Sequence, residues 1–216
     1  MQGVIRHINK SSGKQFEENA GKMGKILYLL GTIFLSGCGF VFSSATVDLS
    51  DNLSSAILNN SDLETVYVGG PAYLLMIDAM VEGDPGNKSL LRTATNLYSA
   101  YTGVFVQDRM RGKRLMDKAL THGLRLICES HASACSLQSS RFSEFERVIN
   151  SLQVQEVPNL YALGAAWAGW IQVHSEEMDA VAELSRVETI MRRIIKLDEF
   201  HHDGGAHVYL THLCRF

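Results

Sequence analysis

Apolar residues recur along most of the chain at intervals of three and four, which is the period of an amphipathic helix. Alternation of apolar and polar positions, which would indicate a half-buried strand, never extends beyond a few residues. The pattern predicts helices over Leu49–Asn59, Asp62–Glu82, Asn87–Gln107, a stretch beginning at Asp108, Phe142–Ile149, Asn159–Val173 and Val181–Leu197. We therefore expect an all-α fold.

Capping and helix-breaking residues refine these boundaries. Asn87 follows a Pro-Gly turn, and its side chain can accept hydrogen bonds from the first turn of the next helix. Asp108 can cap the following helix or form an ion pair with Arg111 or Arg114. The stretch Gly69-Gly70-Pro71 lies inside the second predicted helix. Proline removes a main-chain donor, so we expect this helix to break there.

An apolar run, Ile26–Leu35, lies near the start of the chain. It is ten residues long, whereas a helix that crosses a bilayer needs about 20. Lys22 and Lys25 precede the run and small residues follow it, as in a secretory signal. Leu35-Ser36-Gly37-Cys38 resembles the lipobox of bacterial lipoproteins, in which the cysteine is acylated and becomes the mature N-terminus. We expect an exported lipoprotein anchored through Cys38; the alternative is a short buried helix followed by an incidental cysteine.

This signal divides the chain into three parts. We expect residues 1–37 to hold a polar upstream segment and the signal, residues 38–47 to form a lipidated tether, and residues 48–216 to form the helical domain. Met23 would begin a signal of ordinary length. We therefore expect that translation begins at Met23, or that the first 22 residues are an upstream misannotation.

Composition excludes some classes of protein. Removal of residues 1–37 leaves 179 of the 216 residues, enough for one domain with a substantial core. The net charge is −3 with mixed signs, so the chain lacks the basic character of a nucleic-acid-binding protein. Three prolines and a hydrophobic fraction of 46% favour an ordered, helix-rich protein.

The chain has four cysteines, Cys38, Cys128, Cys135 and Cys214. On one continuous helix Cys128 and Cys135 would lie about 10 Å apart along the axis, too far for a disulfide. A chain reversal at His131–Ser133 would bring them together, and export would permit a disulfide. We nevertheless expect two buried free thiols.

One later helix pair resembles a tetratricopeptide repeat. It holds Leu163-Gly164-x-x-Trp167 in its first helix and the run Ile195-Lys196-Leu197-Asp198 at the end of its second. Ile194 stands where the repeat usually has alanine, and Glu199 stands where it usually has proline. We expect stacked helical hairpins that form a degenerate, tetratricopeptide-like α-α superhelix.

A series of short segments goes beyond a generic helix stack. The segments are Gly70–Asp78, Asp84–Asn87, Leu90–Ala94, Leu97–Tyr101, Phe105–Asp108, Arg111–Leu115, Leu163–Trp170 and Asp203–Leu210. In this combination and order they resemble the TatT component family of tripartite ATP-independent periplasmic (TRAP) transporters. They are spread from Gly70 to Leu210, over most of the length of the expected mature chain. The most specific part is Pro-x-Asn-x-x-Leu-Leu followed by Leu-Tyr-Ser-Ala-Tyr.

The resemblance implies a non-catalytic lipoprotein without a cofactor. In the family, the T component is the periplasmic partner of the substrate-binding P component, assembles as a trimer, and offers an apolar channel or cavity to a small ligand. We therefore expect a lipid-anchored accessory component of a TRAP-type system, with a TatP-like receptor as partner. Family members continue past the segment that contains His207, so we expect this chain to be truncated and to lack the final capping helices.

Two aromatic pairs are candidates for binding a ligand or a partner. Tyr98 and Tyr101 lie three residues apart and share a helix face, as do Trp167 and Trp170. Packing between hairpins accounts for such pairs most simply. The alternative is that they line an amphipathic pocket, with the rings providing contact area and the hydroxyl or indole N–H groups providing orientation. The same candidate set includes Asn87, Asp108 and His207.

Metal-ligating residue types are concentrated near the end of the chain: His201, His202, Asp203, His207 and His212. Imidazole and carboxylate groups suit zinc or copper. However, Gly204-Gly205 interrupts the cluster, and His207 and His212 would face different sides of a helix.

The chain also lacks a nucleophile elbow, a Walker loop and a dinucleotide fingerprint. We expect neither a metal site nor an enzyme.

The main alternative function is a general peptide- or protein-binding scaffold of the cell envelope. Gly39 indicates which membrane holds the anchor. In some Gram-negative bacteria an aspartate directly after the acylated cysteine retains a lipoprotein at the inner membrane, and this chain has Gly39 at that position. We expect attachment to the outer membrane, with the protein facing the periplasm. Several acyl chains on Cys38 would make that attachment stable.

Overall fold

Helices account for nearly all the regular structure. The computed structural model describes residues 52, 55–57 and 59–213. The helices of this part of the chain are α1 (Leu63–Gly83), α2 (Lys88–Phe105), α3 (Arg109–Ser130), α4 (Phe142–Ser151), α5 (Val157–Val173), α6 (Met178–Ala182), α7 (Leu184–Leu197) and α8 (Gly205–Leu213). Short 3₁₀ helices occur at Ala132–Ala134 and Val154–Glu156, and the described residues include no strand. The all-α prediction is confirmed. The signal, Cys38, the tether and most of the helix predicted over Leu49–Asn59 lie outside the described residues.

Helix α1 runs through Gly69-Gly70-Pro71 without interruption, so the predicted break is wrong. Pro71 has no N–H group to donate to the carbonyl of Tyr67, four residues earlier. The hydroxyl of Tyr101, on α2, donates a hydrogen bond to that carbonyl instead, at 3.4 Å. A side chain from the neighbouring helix therefore replaces the bond that proline removes.

Helices α2 and α3 begin where the sequence predicts, each after a capping side chain. Asn87 Oδ1 accepts hydrogen bonds from the main-chain N–H groups of Ser89 (3.1 Å) and Leu90 (3.2 Å). Asp108 Oδ1 accepts one from the N–H of Arg111 at 2.6 Å. These bonds satisfy donors that have no partner within the first turn of a helix. Both capping predictions are confirmed.

The C-terminal helices differ from the prediction. The helix expected over Val181–Leu197 is divided at Glu183, between the end of α6 and the start of α7. The pattern also does not predict α8, which follows a turn at His202, Asp203 and Gly204. These residues have φ values of 47°, 53° and 76°, in the left-handed region that glycine adopts without strain. The turn lays α8 against α7.

The main packing contacts join α1 to α2, α2 to α3, α3 to α5, α5 to α7 and α7 to α8, while α4 lies against α7. One cluster of buried apolar side chains lies among α1, α2, α3 and α5, and a second lies mainly among α3, α4, α5 and α7. Gly123 lets α3 and α5 approach closely, because a Cβ there would lie 3.3 Å from the Cα of Leu163. The tetratricopeptide-like character of the stack stays a prediction.

Cys128 and Cys135 form a disulfide, so the expectation of two buried free thiols is wrong. Helix α3 ends at Ser130, and the 3₁₀ helix Ala132–Ala134 reverses the chain. This reversal brings the two Cα atoms to 4.4 Å, a separation that a disulfide can bridge. Cys128 is half-buried and Cys135 is exposed. The bridge ties the end of α3 to the segment that places Leu137 in the core.

Candidate functional site

An apolar cavity of about 130 Å³ lies between α1 and α2. It is lined by Ile57, Asn60, Leu63, Val66, Gly70, Tyr73, Leu74, Leu97, Ala100, Tyr101, Val104 and Phe105. One amide and two phenol groups are the polar side-chain groups of this lining, a composition typical of sites that hold a largely apolar ligand and orient it through a few polar groups. Cavities of about 150 Å³ hold a benzene molecule. The volume therefore suits a small ring or a short alkyl chain.

Tyr101 forms part of the cavity wall, and its ring is fixed against α1. Its side chain is 6% exposed. The ring lies directly over Gly70: a Cβ at that position would lie 2.4 Å from Tyr101 Cε2. Real Cβ atoms do not approach a carbon atom so closely, so any larger residue would displace the ring. The hydrogen bond to Tyr67 then sets the direction of the hydroxyl.

Further aromatic contacts surround this ring. Phe105 lies 5.5 Å from the Tyr101 ring and 5.8 Å from the Tyr67 ring, measured between centroids. The guanidinium carbon of Arg111, in the first turn of α3, lies 5.8 Å from the centroid of Tyr101. Each aromatic pair at such a distance stabilises the fold by about 0.5–1.5 kcal/mol, in addition to the stabilisation from burying its apolar surface. The wall of the cavity is therefore held by contacts from three helices.

Tyr98 takes part in a polar cluster and does not line the cavity. Its hydroxyl donates to Asp78 Oδ2 at 2.7 Å, and Lys118 Nζ donates to the same oxygen at 2.5 Å and to Tyr98 Oη at 3.2 Å. Burial, reinforced by the bond to Asp78, raises the pKa of Tyr98 to about 12. The bond to Asp78 also raises the pKa of Lys118. Burial lowers the pKa of His122, whose Nε2 lies 3.8 Å from Asp78 Oδ1. The cluster joins α1, α2 and α3.

The two tryptophans of the candidate set have different surroundings, and neither lines the cavity. Trp167 is 1% exposed and meets the ring of Phe145 edge-on, with centroids 5.7 Å apart. Trp170 is half-buried, and its Nε1 donates a hydrogen bond to Asp117 Oδ1 at 2.8 Å. Its ring stacks on His174 with centroids 4.4 Å apart. Trp167 packs in the core, whereas Trp170 links α5 to α3.

The structure does not bring the remaining candidates to the cavity. Asn87 and Asp108 cap helices, as described above. His207 lies in α8, where its Nε2 is 3.3 Å from Glu199 Oε1, and His201 lies 3.7 Å from Asp198. Across the described residues, no group of three or more His, Cys, Asp or Glu side chains is arranged to hold a metal ion.

Of the candidate residues proposed from the sequence, Tyr101 alone lines the cavity. The sequence does contain a signal for the other residues that line the cavity from α2. On α2 the lining residues are Leu97, Ala100, Tyr101, Val104 and Phe105, which follow the helical period and so share one face. That period cannot show that the face leaves a gap against α1, because the gap depends on the shape of both helices. Within the part of the chain that the structure describes, no helix has the combination of length and apolarity needed to cross a membrane.

Comparison with known proteins identifies the family. The family described as TRAP transporter T-component matches residues 59–214, a range that contains all the helices from α1 to α8 and most of the cavity lining. No curated protein sequence matches the chain. Because the family match spans well over half of the chain, the chain belongs to the TRAP transporter T-component family.

Proposed function

We propose that this protein is a lipid-anchored, periplasm-facing accessory component of a TRAP-type transport system that binds the substrate-binding receptor and a small apolar ligand. Membership of the T-component family supports association with such a system. The family is one of transporter components and not an enzyme class. We propose a non-catalytic role and a homotrimeric assembly on the same basis.

The cavity between α1 and α2 is the observation that carries the ligand-binding part of this proposal. Its lining is almost wholly apolar, so the transfer of a ring or alkyl group from water into the cavity is favourable in free energy. Tyr101 gives the wall a fixed shape, because Gly70 and the carbonyl of Tyr67 hold its ring and its hydroxyl. A preformed wall reduces the entropy lost on binding.

Anchoring through Cys38 stays a proposal, since this residue lies outside the described part of the chain. The Cys128–Cys135 disulfide supports export, because disulfides persist mainly in oxidising compartments such as the bacterial periplasm. Gly39 after Cys38 supports the outer membrane. Membrane fractionation tests the anchor: the Cys38→Ala variant should move to the soluble fraction, whereas the matched Cys214→Ala variant should stay with the membrane. Membrane association of both variants would contradict lipid anchoring.

Receptor binding is tested with a soluble form of the protein that begins at Gly39. This form is immobilised and exposed to extract of the cell envelope, and the retained proteins are quantified by mass spectrometry against beads without bait. The proposal predicts enrichment of a solute-binding receptor. Recovery of outer-membrane assembly factors without a receptor would instead favour the general scaffold function.

A further inference from the structure

Helix α1 has a second apolar surface, on the side opposite its buried face. Val68, Ala72, Leu75 and Ala79 recur at intervals of four, three and four and therefore form one stripe along the helix. We call these four residues the α1 outer stripe. All of them are exposed, Val68 to 67% and Leu75 to 71%. Large and small residues alternate along the stripe, which gives it a shape that a second helix can pack against.

Acidic residues border this stripe at both ends. Asp62 and Glu64 lie at the start of α1, and Glu82 and Asp84 lie at its end; all four are exposed. The helix itself contains neither lysine nor arginine. Among the described residues, no cation forms an ion pair with Glu64 or Glu82. At 1.5 Å per residue, these two glutamates lie about 27 Å apart along the helix axis.

This charge pattern restricts what can cover the stripe. Pairing α1 with α1 of a second copy, in either direction, would place carboxylates against carboxylates, and such like-charge contacts oppose association. An anionic membrane surface would repel the same groups. A helix whose apolar seam is bordered by lysine or arginine would instead meet opposite charge at both ends.

We propose that the α1 outer stripe is a docking surface for an amphipathic helix of a partner protein, one that carries basic residues at both ends of its apolar seam, about 27 Å apart. The inference goes beyond the proposed function, because it depends neither on the cavity nor on the lipid anchor. It specifies the chemistry of the partner through the shape and charge of one helix face. Homotypic contacts of the protein then lie on other surfaces.

A pair of synthetic peptides tests this proposal on the purified full chain. Both are fluorescein-labelled helices with leucines at alternating three- and four-residue spacing; one carries two lysines at each end of the seam and the other carries glutamates at the same positions. Fluorescence anisotropy should show that the lysine peptide binds at least about tenfold more tightly than the glutamate peptide, the factor expected from a few surface charge pairs.

Three variants separate docking on the stripe from non-specific attraction. Leu75→Glu adds negative charge to the protein, so it should strengthen a purely electrostatic interaction but should weaken docking at least about tenfold. The matched variant Met178→Glu, at a residue 81% exposed on α6, should leave the affinity unchanged. Combined substitution of Glu64→Lys and Glu82→Lys leaves one carboxylate and one ammonium group at each end of the stripe, so the two peptides should then bind with similar affinity. Circular dichroism confirms that each variant is folded.

The outcomes that overturn the proposal are distinct. The proposal is wrong if the two peptides bind wild type with equal affinity, or if the lysine peptide does not bind. It is also wrong if Leu75→Glu does not weaken the binding. Sedimentation velocity supplies a further criterion. If Leu75→Glu dissociates an oligomer of the chain itself, a second copy occupies the stripe and the proposal is wrong.

Discussion

The hydroxyl of Tyr101 donates a hydrogen bond to the main-chain carbonyl oxygen of Tyr67 across 3.4 Å. This carbonyl belongs to the turn of α1 in which Pro71 provides no N–H donor. The same tyrosine ring lines the cavity between α1 and α2. One side chain therefore both completes the hydrogen bonding of a helix and shapes the site that we assign to ligand binding.

Tyr101→Phe keeps the ring and removes this hydrogen bond. We expect the free energy of unfolding to fall by about 1 kcal/mol, because the carbonyl of Tyr67 is left without its donor. Tyr73→Phe is the matched control: Tyr73 also lines the cavity, but it is partly exposed and forms no hydrogen bond among the described residues. Urea unfolding followed by circular dichroism measures both. Equal losses in the two variants would show that the Tyr101 bond has no particular role.

Adjacent glycines provide a second test of the contact between α1 and α2. Gly70→Ala should lower the free energy of unfolding by about 1–3 kcal/mol, because the new Cβ would lie 2.4 Å from Tyr101 Cε2. Gly69→Ala should raise it by up to about 1 kcal/mol, since its Cβ would meet its nearest neighbour, Tyr73, at an ordinary 3.5 Å and alanine favours the helix. The same unfolding measurement compares them. A Gly70→Ala variant as stable as Gly69→Ala would contradict the packing described here.

Local features of the fold were predictable from the sequence, and contacts between distant segments were not. The caps at Asn87 and Asp108 were predictable because each acts on residues within three positions of itself. The break predicted at Pro71 is wrong because the hydroxyl of Tyr101 replaces the hydrogen bond to the carbonyl of Tyr67 that proline removes. Tyr101 lies 34 residues beyond Tyr67, so the local sequence does not show this bond. The disulfide was considered but not expected, because the apolar pattern does not show whether the helix continues past Ser130 or the chain reverses there.

For the candidate site, too, the sequence predicts which residues share a helix face but not which residues they contact. Helical spacing placed Tyr98 and Tyr101 on one face, yet Tyr101 lines the cavity while Tyr98 binds Asp78. The difference arises from the third helix, since Lys118 draws Asp78 and Tyr98 into one polar cluster. Periodicity identifies a buried face, but the partners that each residue meets there are set by tertiary packing.

His122 should make stability depend on pH. Burial lowers the pKa of its imidazole, an effect that Asp78 opposes and that Lys118 and Arg125 reinforce. The folded protein therefore binds this proton less readily than the unfolded chain. Stability is then highest above the ordinary histidine pKa of about 6.5 and falls as the pH drops through that value towards the lowered pKa.

Replacement of this histidine isolates its contribution. We expect wild type to lose more stability than His122→Gln when the pH is lowered from about 7.5 to about 5, because the variant has no imidazole to protonate at this position. Urea unfolding at several pH values gives the two curves. If the difference between them is the same at both ends of this range, His122 is not the source of the pH dependence.

The Cys128–Cys135 bond should stabilise the protein by closing a short loop of the unfolded chain. Adding a reductant should lower the free energy of unfolding of wild type by about 2 kcal/mol. Double substitution Cys128→Ser with Cys135→Ser should remove this sensitivity, whereas Cys214→Ser should keep it. Alkylation of the unfolded, unreduced protein followed by mass spectrometry checks the bond directly. Labelling of both Cys128 and Cys135 in that experiment would contradict the disulfide.

The central claim of the proposed function is that the cavity between α1 and α2 holds a small apolar ligand. Isothermal titration calorimetry with toluene tests it most directly, because toluene is close in size to the benzene that fills a cavity of about 150 Å³. Wild type and the control Ala182→Phe, at an exposed residue of α6, should both bind toluene. Ala100→Phe, which fills the cavity, should stay folded by circular dichroism and should not bind it. Absence of binding by wild type, or unchanged binding by Ala100→Phe, would contradict the account.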